Sequence, residues 1–216
     1  MVSNRALKRK QRSQAILQSE SVPFIAHLPV IEDEETAQIR SLEEIAWRAM
    51  ALCVVAVKGE ELEQQRVLEI IEKYKLTNAF TPKESAFIFK DEFTEHDRIQ
   101  FTWQYECYWV LLWALSYVEE LSRPDQICDV PRAVETMVRR TAEEFIRDAN
   151  VRNASEILDA ADLIYRYAWA CDDARVNGTI IPDWLECGVV LERHRTLNWL
   201  VGHVDNAEWD DVPLDT

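Results

Sequence analysis

Glycine is scarce in this chain, and long apolar runs are missing. Only four glycines occur among 216 residues, too few for the many tight turns of a β-sandwich or for a phosphate-cradling loop. The longest apolar segment has about a dozen residues, whereas a membrane-spanning helix needs roughly 20. These two absences favour a helical protein without a membrane span.

Paired cysteine motifs are also absent. The five cysteines are widely spaced, at positions 53, 107, 128, 171 and 187, with no CxxC pair. An odd number of isolated cysteines, two of them inside apolar helical segments, is typical of free thiols in a reducing compartment. No apolar stretch follows the basic N-terminus, so no secretory signal is predicted. We therefore expect free thiols and a cytoplasmic location.

Positive charge is limited and unevenly placed. The chain has 24 Lys and Arg against 39 Asp and Glu, a net charge of −15. Residues 1–12 carry five basic side chains and no acid, which leaves −20 on the remainder. An acidic body repels nucleic acid and anionic lipid and speeds association with basic partners. We expect no nucleic-acid or membrane binding and regard a basic protein as the best candidate partner, with the oligomeric state left open.

The segment WQYECYWVLLWALSYV, residues 103–118, is the most apolar part of the chain. Its apolar side chains occur on all sides of a helix, and such a helix is buried all round. Its only charge is Glu106, which would need a buried cation, with Arg193 or Arg175 as candidates. We predict an all-α bundle of about eight helices around a buried central helix at about 95–121.

Capping signals indicate where the other helices begin and end. Ser41 with Glu44, and Asn153 with Glu156, have the spacing of a capping box, while Gly178 suits a helix C-terminus. The predicted helices span about 4–20, 41–59, 61–74, 82–89, 95–121, 130–149, 154–177 and 188–201. One domain is predicted, with a basic arm and first helix over 1–20, an extended connection over 21–40, a helical core over 41–202 and an acidic tail over 203–216. Trp209, beside Asp210 and Asp211, is expected to dock this tail on the core.

Polar residues interrupt the apolar faces of the helices predicted at 154–177 and 188–201. They form a narrow stripe on the first helix and lie on the inward face of the second. The candidate polar cluster comprises Glu106, Asp162, Tyr165, Arg166, Asp173, Arg175, Arg193, His194 and Asn198, with aromatic walls from Trp103, Trp113 and Trp169. Such a cluster either fixes helix register as a buried ion-pair network or binds an anionic small molecule through its arginines.

Metal and cofactor signals are weak. Glu156, Asp159 and Asp162 form an ExxDxxD ladder that could hold Mg²⁺, although such runs are more often solvated helix faces. His96-Asp97 matches a metal-binding dyad but falls in the first turn of a capped helix. No catalytic signature such as HExxH or GxSxG is present. We predict no metal and no cofactor, and leave open whether the protein is an enzyme.

Six segments of the chain resemble a largely bacterial family known as domain of unknown function 4272. They are SVPFIAHLPVIEDEE, WQYECYWVLLWALSYVEEL, DQICDV, DLIYRYAWACDDARVNG, GVVLERHRTLNWLVG and EWDDVPLDT, and the resemblance spans about Arg12 to Thr216. It implies a single domain without an assigned activity. The family pattern has a histidine where Ala168 stands, which weakens any histidine-centred site on that helix.

Two functions follow as expectations. The first is an acidic intracellular protein of regulatory or toxin-neutralising type that binds a basic partner. The alternative is an enzyme or binding protein for an anionic ligand, such as a phosphate-bearing molecule, at the polar cluster. A cavity that reaches the arginines would favour the second, and a filled core would favour the first.

Overall fold

A computed structural model describes residues 3–90 and 92–216, apart from the side chains of Val204 and Asp205. The described residues are mainly α-helical and contain no β-strand, so the all-α prediction is confirmed. The helices are α1 (Asn4–Ser19), α2 (Leu42–Gly59), α3 (Gln64–Tyr74), α4 (Pro82–Ile88), α5 (Glu95–Thr102), α6 (Gln104–Ala114), α7 (Val130–Val138), α8 (Ala142–Arg147), α9 (Ala154–Asn177), α10 (Cys187–Val201) and α11 (His203–Asn206), followed by a 3₁₀ turn at Trp209–Asp211. No helix in the described ranges is both long and apolar enough to cross a membrane.

Contacts between residues divide the chain into two compact units. The terminal unit comprises Met1–Arg40, Ser122–Ile127 and Arg152–Thr216, and the middle unit comprises Ser41–Leu121 and Cys128–Val151. Helices α1, α9, α10 and α11 belong to the terminal unit, and α2 to α8 belong to the middle unit.

The middle unit is built on α6, whose residues are all buried, as expected for a helix that is apolar on every side. Helix α2 packs against both α5 and α6. At the end of α2, a Cβ on Gly59 would lie 2.7 Å from the Thr102 hydroxyl oxygen. Only a glycine permits this close approach of α2 to α5.

The central helix predicted at about 95–121 is two shorter helices, α5 and α6, which are separated at Trp103. Helix α6 ends at Ala114, and Ser116 has a left-handed φ of 63°. The Leu115 carbonyl accepts a hydrogen bond from the Asn150 N–H at 3.1 Å, and Ser116 donates to the Asn150 carbonyl at 2.7 Å. These contacts hold the chain in a turn, so the helix does not continue along the apolar sequence that follows.

The helix predicted at 130–149 is also divided, into α7 and α8. Thr141 and Glu144 form a complete capping box that begins α8. A capping box satisfies the first N–H groups of a new helix, so it favours a break in the preceding one. The Thr-x-x-Glu spacing of this box is visible in the sequence and indicates a helix that begins after Thr141.

In the terminal unit, α1 and α10 both pack against α9. Arg9 of α1 is 2% exposed and forms ion pairs with Glu34 at 2.6 Å and with Asp159 of α9 at 2.8 Å. Arg12 pairs with the same Asp159 oxygen at 2.6 Å. Arg9 and Arg12 therefore bind the unit's own acids and attach α1 to α9.

Candidate functional site

A cavity of about 700 Å³ lies within the terminal unit. Five segments form it, namely the extended connection before α2, the helices α9, α10 and α11, and residues 215–216. Its lining residues are Ile25, His27, Leu28, Pro29, Val30, Ile31, Glu32, Tyr165, Trp169, His194, Asn198, His203, Asp215 and Thr216. The lining combines aliphatic and aromatic surface with several titratable groups, as is usual in small-molecule sites.

The wall formed by residues 25–32 is held in place through its backbone carbonyl groups. Lys10 of α1 donates a hydrogen bond to the Leu28 carbonyl. Arg166 of α9 donates to the Pro29 carbonyl at 3.2 Å. Two basic side chains on different helices thus fix a segment that lacks regular secondary structure.

Arg166 and Asp162 lie behind this wall as a buried ion pair, each side chain being 1% exposed. Two guanidinium nitrogens of Arg166 contact the two carboxylate oxygens of Asp162, at 2.9 and 2.6 Å. This bidentate geometry is the strongest available to an arginine. Arg166 therefore has a structural partner, and neither member of the pair lines the cavity.

His194 of α10 lines the cavity and is 1% exposed. Its Nε2 lies 3.1 Å from the amide nitrogen of Asn198, which also donates to the Pro213 carbonyl at 2.9 Å. Burial lowers the pKa of His194 to about 4, with a further contribution from His203 and an opposing one from Asp172. The ring is neutral at pH 7, and because Nε2 accepts from Asn198, Nδ1 carries the proton.

Acidification below pH 6.5 should destabilise the terminal unit through His194. In the unfolded chain this imidazole binds a proton near its ordinary pKa of 6.5, whereas in the folded unit it does so only near pH 4. The contribution of His194 to the free energy of unfolding is complete above pH 6.5 and falls by about 3 kcal/mol as the pH is lowered to 4. Urea unfolding at pH 7 and pH 4.5 measures the free energy of unfolding. This free energy should decrease more on acidification for the parent than for His194→Gln, and equal decreases would contradict this assignment.

His203 and Glu32 form the second polar contact of the cavity. The Nδ1 of His203 lies 2.7 Å from Glu32 Oε1. This hydrogen bond raises the pKa of His203, with a smaller contribution from Asp215, and lowers the pKa of Glu32. The other carboxylate oxygen of Glu32, Oε2, is buried and accepts no hydrogen bond from the described residues. This oxygen lies in the wall of the cavity rather than on its open surface.

The end of the chain closes one side of the cavity. Trp209 is 6% exposed and packs edge-on against Trp199 of α10, with ring centroids 5.5 Å apart. Arg40 lies over the Trp199 ring, and its guanidinium also donates to the Asn206 and Ala207 carbonyls at 3.1 and 2.7 Å. Thr216 then bonds to Asp172 of α9 at 2.8 Å. These contacts hold Asp215 and Thr216 at the cavity rim.

Of the predicted site residues, four line the cavity together: Tyr165, Trp169, His194 and Asn198. Arg193 is 3% exposed and donates to the Ser122 carbonyl at 2.6 Å. Asp173 accepts hydrogen bonds from Thr179 and Asn177, which lower its pKa. Arg175 does not lie in the core, because its side chain is 73% exposed and pairs with Asp172.

The remaining predicted members belong to the middle unit. Trp113 is 6% exposed, Trp103 lies half-buried at the junction of α5 and α6, and Glu106 is 1% exposed. The Glu106 carboxylate accepts a hydrogen bond from the Cys128 N–H. The pairing of Glu106 with Arg193 stays a prediction.

The acidic ladder on α9 contacts basic or amide groups. Asp159 binds Arg9 and Arg12, Asp162 binds Arg166, and Glu156 accepts from Asn153 at 2.7 Å. In the described part of the chain, no group of three or more His, Cys, Asp or Glu side chains is placed to hold a metal ion.

Sequence reasoning missed the cavity residues that lie outside α9 and α10. Glu32, His27, His203 and Asp215 all line the cavity. Glu32 and His27 fall in the segment SVPFIAHLPVIEDEE, and Asp215 falls in EWDDVPLDT, both among the segments on which the family resemblance rests. That signal pointed to the two segments without indicating that they meet.

The prediction of free thiols is wrong for two cysteines, since Cys171 of α9 and Cys187 of α10 form a disulfide. Their Cα atoms are 5.7 Å apart although 16 residues separate them. Such a pair has no CxxC spacing and forms only because the packing of α9 against α10 brings the two residues together.

Loss of this disulfide should lower the stability of the terminal unit by about 3 kcal/mol, because the cross-link restricts a loop of this length in the unfolded chain. The double variant Cys171→Ser, Cys187→Ser is compared with the parent by urea unfolding. A reductant should destabilise the parent and have no such effect on the double variant. Identical stability of the two proteins without reductant would contradict the prediction.

Comparison with known protein families gives one informative result. The model of the family described as Domain of unknown function (DUF4272) matches residues 9–212. Comparisons with curated proteins and with solved structures give no match. A match over nearly the whole chain shows that the protein belongs to this family, DUF4272.

Proposed function

We propose that the protein binds a small organic molecule in the cavity of the terminal unit. The observation that carries this proposal is the cavity's size together with its lining. Its volume of about 700 Å³ lies within the roughly 300–1,000 Å³ of ligand-binding pockets. Aromatic surface from Tyr165 and Trp169 faces it together with His194, His203 and Glu32. The proposal assigns binding and leaves catalysis open, because a neutral His194 with a pKa of about 4 is a weak base at pH 7.

The cavity's composition changes the expected ligand. The anionic-ligand alternative relied on Arg166, Arg175 and Arg193, yet no Lys or Arg is among the residues that line the cavity in the described chain. Arg166 is paired with Asp162, and Arg175 lies at the surface. We therefore propose a site that contacts its ligand through aromatic rings, imidazoles and carboxylates.

A panel of small metabolites, grouped by net charge, tests the proposal through the unfolding temperature. A binder should raise the midpoint of the parent, because a ligand that binds only the folded state stabilises it. Trp169→Leu should remove the rise by removing one wall of the cavity. Trp184→Leu is the matched control, since Trp184 is a half-buried tryptophan of the same unit that does not line the cavity. A rise that persists in Trp169→Leu would place the ligand elsewhere.

A second candidate function is binding of a basic protein in the cytoplasm. Its support is the net charge of −15 and an exposed acidic cluster formed by Glu60, Glu61 and Glu63 between α2 and α3. Such a surface favours basic partners and loses its effect as salt rises. Capture from native cytosol at low and high salt should recover a stoichiometric basic partner only at low salt. Recovery that is independent of salt, or absent, would contradict this function.

A further inference from the structure

The charges around the cavity indicate a chemical class of ligand. Glu32 and Asp215 contribute two carboxylates, and His203, which is bonded to Glu32, offsets at most one of them when protonated. His194 is neutral because burial disfavours its charged form. With His27 neutral, the lining is thus negative whether or not His203 carries a proton.

One carboxylate oxygen of Glu32 is buried in the wall beside the cavity. Glu32 Oε1 contacts His203, but Oε2 is buried and has no hydrogen-bond partner among the described residues. A buried carboxylate oxygen without a donor is costly, and a cationic N–H group that reaches it gains a charge-assisted hydrogen bond. A ligand that donates hydrogen bonds therefore suits the Glu32 carboxylate better than one that only accepts them.

The aromatic walls suit the same ligand. Trp169 and Tyr165 lie one turn apart on α9, and both are half-buried at the cavity. The faces of such rings attract cations and pack against flat apolar groups. Arg166 lies 5.8 Å from the centre of the Tyr165 ring. Among the described residues, Trp169 is therefore the ring with more room for a cation from a ligand.

We propose that the ligand is an organic cation, whose ammonium group pairs with Glu32 and Asp215 while its flat apolar part packs against Trp169 and Tyr165. This inference rests on the proposed binding function and adds the charge and shape of the ligand. An arylalkylamine has both parts within a volume that this cavity can hold. A phosphate-bearing or carboxylate ligand would meet two carboxylates and no guanidinium.

Three probes with one indole ring and different charges test the proposal by calorimetric titration of the full chain: tryptamine, tryptophol and indole-3-acetate. Tryptamine should bind at least about tenfold more tightly than tryptophol, a difference of about 1.4 kcal/mol. Indole-3-acetate should bind most weakly. Equal affinity for the three probes, or tighter binding of indole-3-acetate, would overturn the cation assignment and leave a ligand site in place. Binding of none of them at millimolar concentration would count against both the cation and the site.

Variants of Glu32 and Asp215 test whether these carboxylates bind the ammonium group of tryptamine. Glu32→Gln should reduce the affinity for tryptamine to that for tryptophol and leave tryptophol unchanged. Glu35→Gln is the matched control, because Glu35 is exposed and does not line the cavity. Asp215→Asn provides a second test that leaves the Glu32–His203 contact intact, and it should weaken tryptamine binding selectively. Full retention of the tryptamine preference in both cavity variants would overturn the proposal.

Discussion

Replacement of Asp162 by alanine should destabilise the terminal unit by about 3–5 kcal/mol, because it leaves the Arg166 guanidinium buried without its anion. Both side chains are 1% exposed, and their contact is bidentate. The same guanidinium holds the Pro29 carbonyl, so one wall of the cavity should loosen as well. Urea unfolding, followed by tryptophan fluorescence, measures the free energy of unfolding.

Two further variants separate the loss of the buried pair from a general effect of removing an acid. The double variant Asp162→Asn, Arg166→Met removes both charges and should recover much of the stability. Glu135→Ala removes an acid with the same i,i+4 spacing to an arginine, Arg139, but at the surface of α7, and should stay close to the parent. If Asp162→Ala and Glu135→Ala are equally mild, the Arg166 pair is not buried in solution.

Replacement of Trp209 by alanine should cost a similar 3–5 kcal/mol, the usual range when a buried tryptophan is truncated. Its indole is 6% exposed and packs on Trp199, and the Arg40 guanidinium lies over the same Trp199 ring. Without this contact the residues that follow should detach from α10 and expose the cavity. Limited proteolysis should then cut the chain end of the variant faster than that of the parent.

Trp209→Phe is the control for Trp209→Ala, because it keeps an aromatic ring against Trp199 and should lose much less stability. Asp211→Asn changes an exposed neighbour and should have little effect. Parental stability and unchanged proteolysis of Trp209→Ala would show that the end of the chain is not docked.

The helical fold was predictable because its signals are local. The capping box at Ser41, the N-cap at Asn153, the left-handed end of α9 at Gly178 and the all-round apolar sequence of α6 each depend on a few neighbouring residues. The errors arose where long-range contacts decide the backbone. The turn at Ser116, which ends the apolar helix early, is held by Asn150, more than thirty residues away.

The site was only half predictable for the same reason. Tyr165, Trp169, His194 and Asn198 were selected because they lie on helix faces that the sequence pattern identifies. Glu32 reaches them because Lys10 and Arg166 hold the backbone of an irregular segment, and no periodic pattern reports such a contact. The chain's arginines were assigned to a ligand, whereas the partner of Arg166 is an aspartate one turn away on its own helix.

Nuclear magnetic resonance of the tryptophan indole N–H groups, recorded during titration with tryptamine, tests the ligand site most directly. The chain has eight tryptophans, and single Trp→Phe variants assign their signals. The account predicts that the Trp169 signal shifts in a saturable manner, while the signals of Trp103 and Trp113 in the middle unit do not, and that Glu32→Gln weakens the response. A saturable shift confined to other tryptophans, or none at millimolar tryptamine, would contradict it.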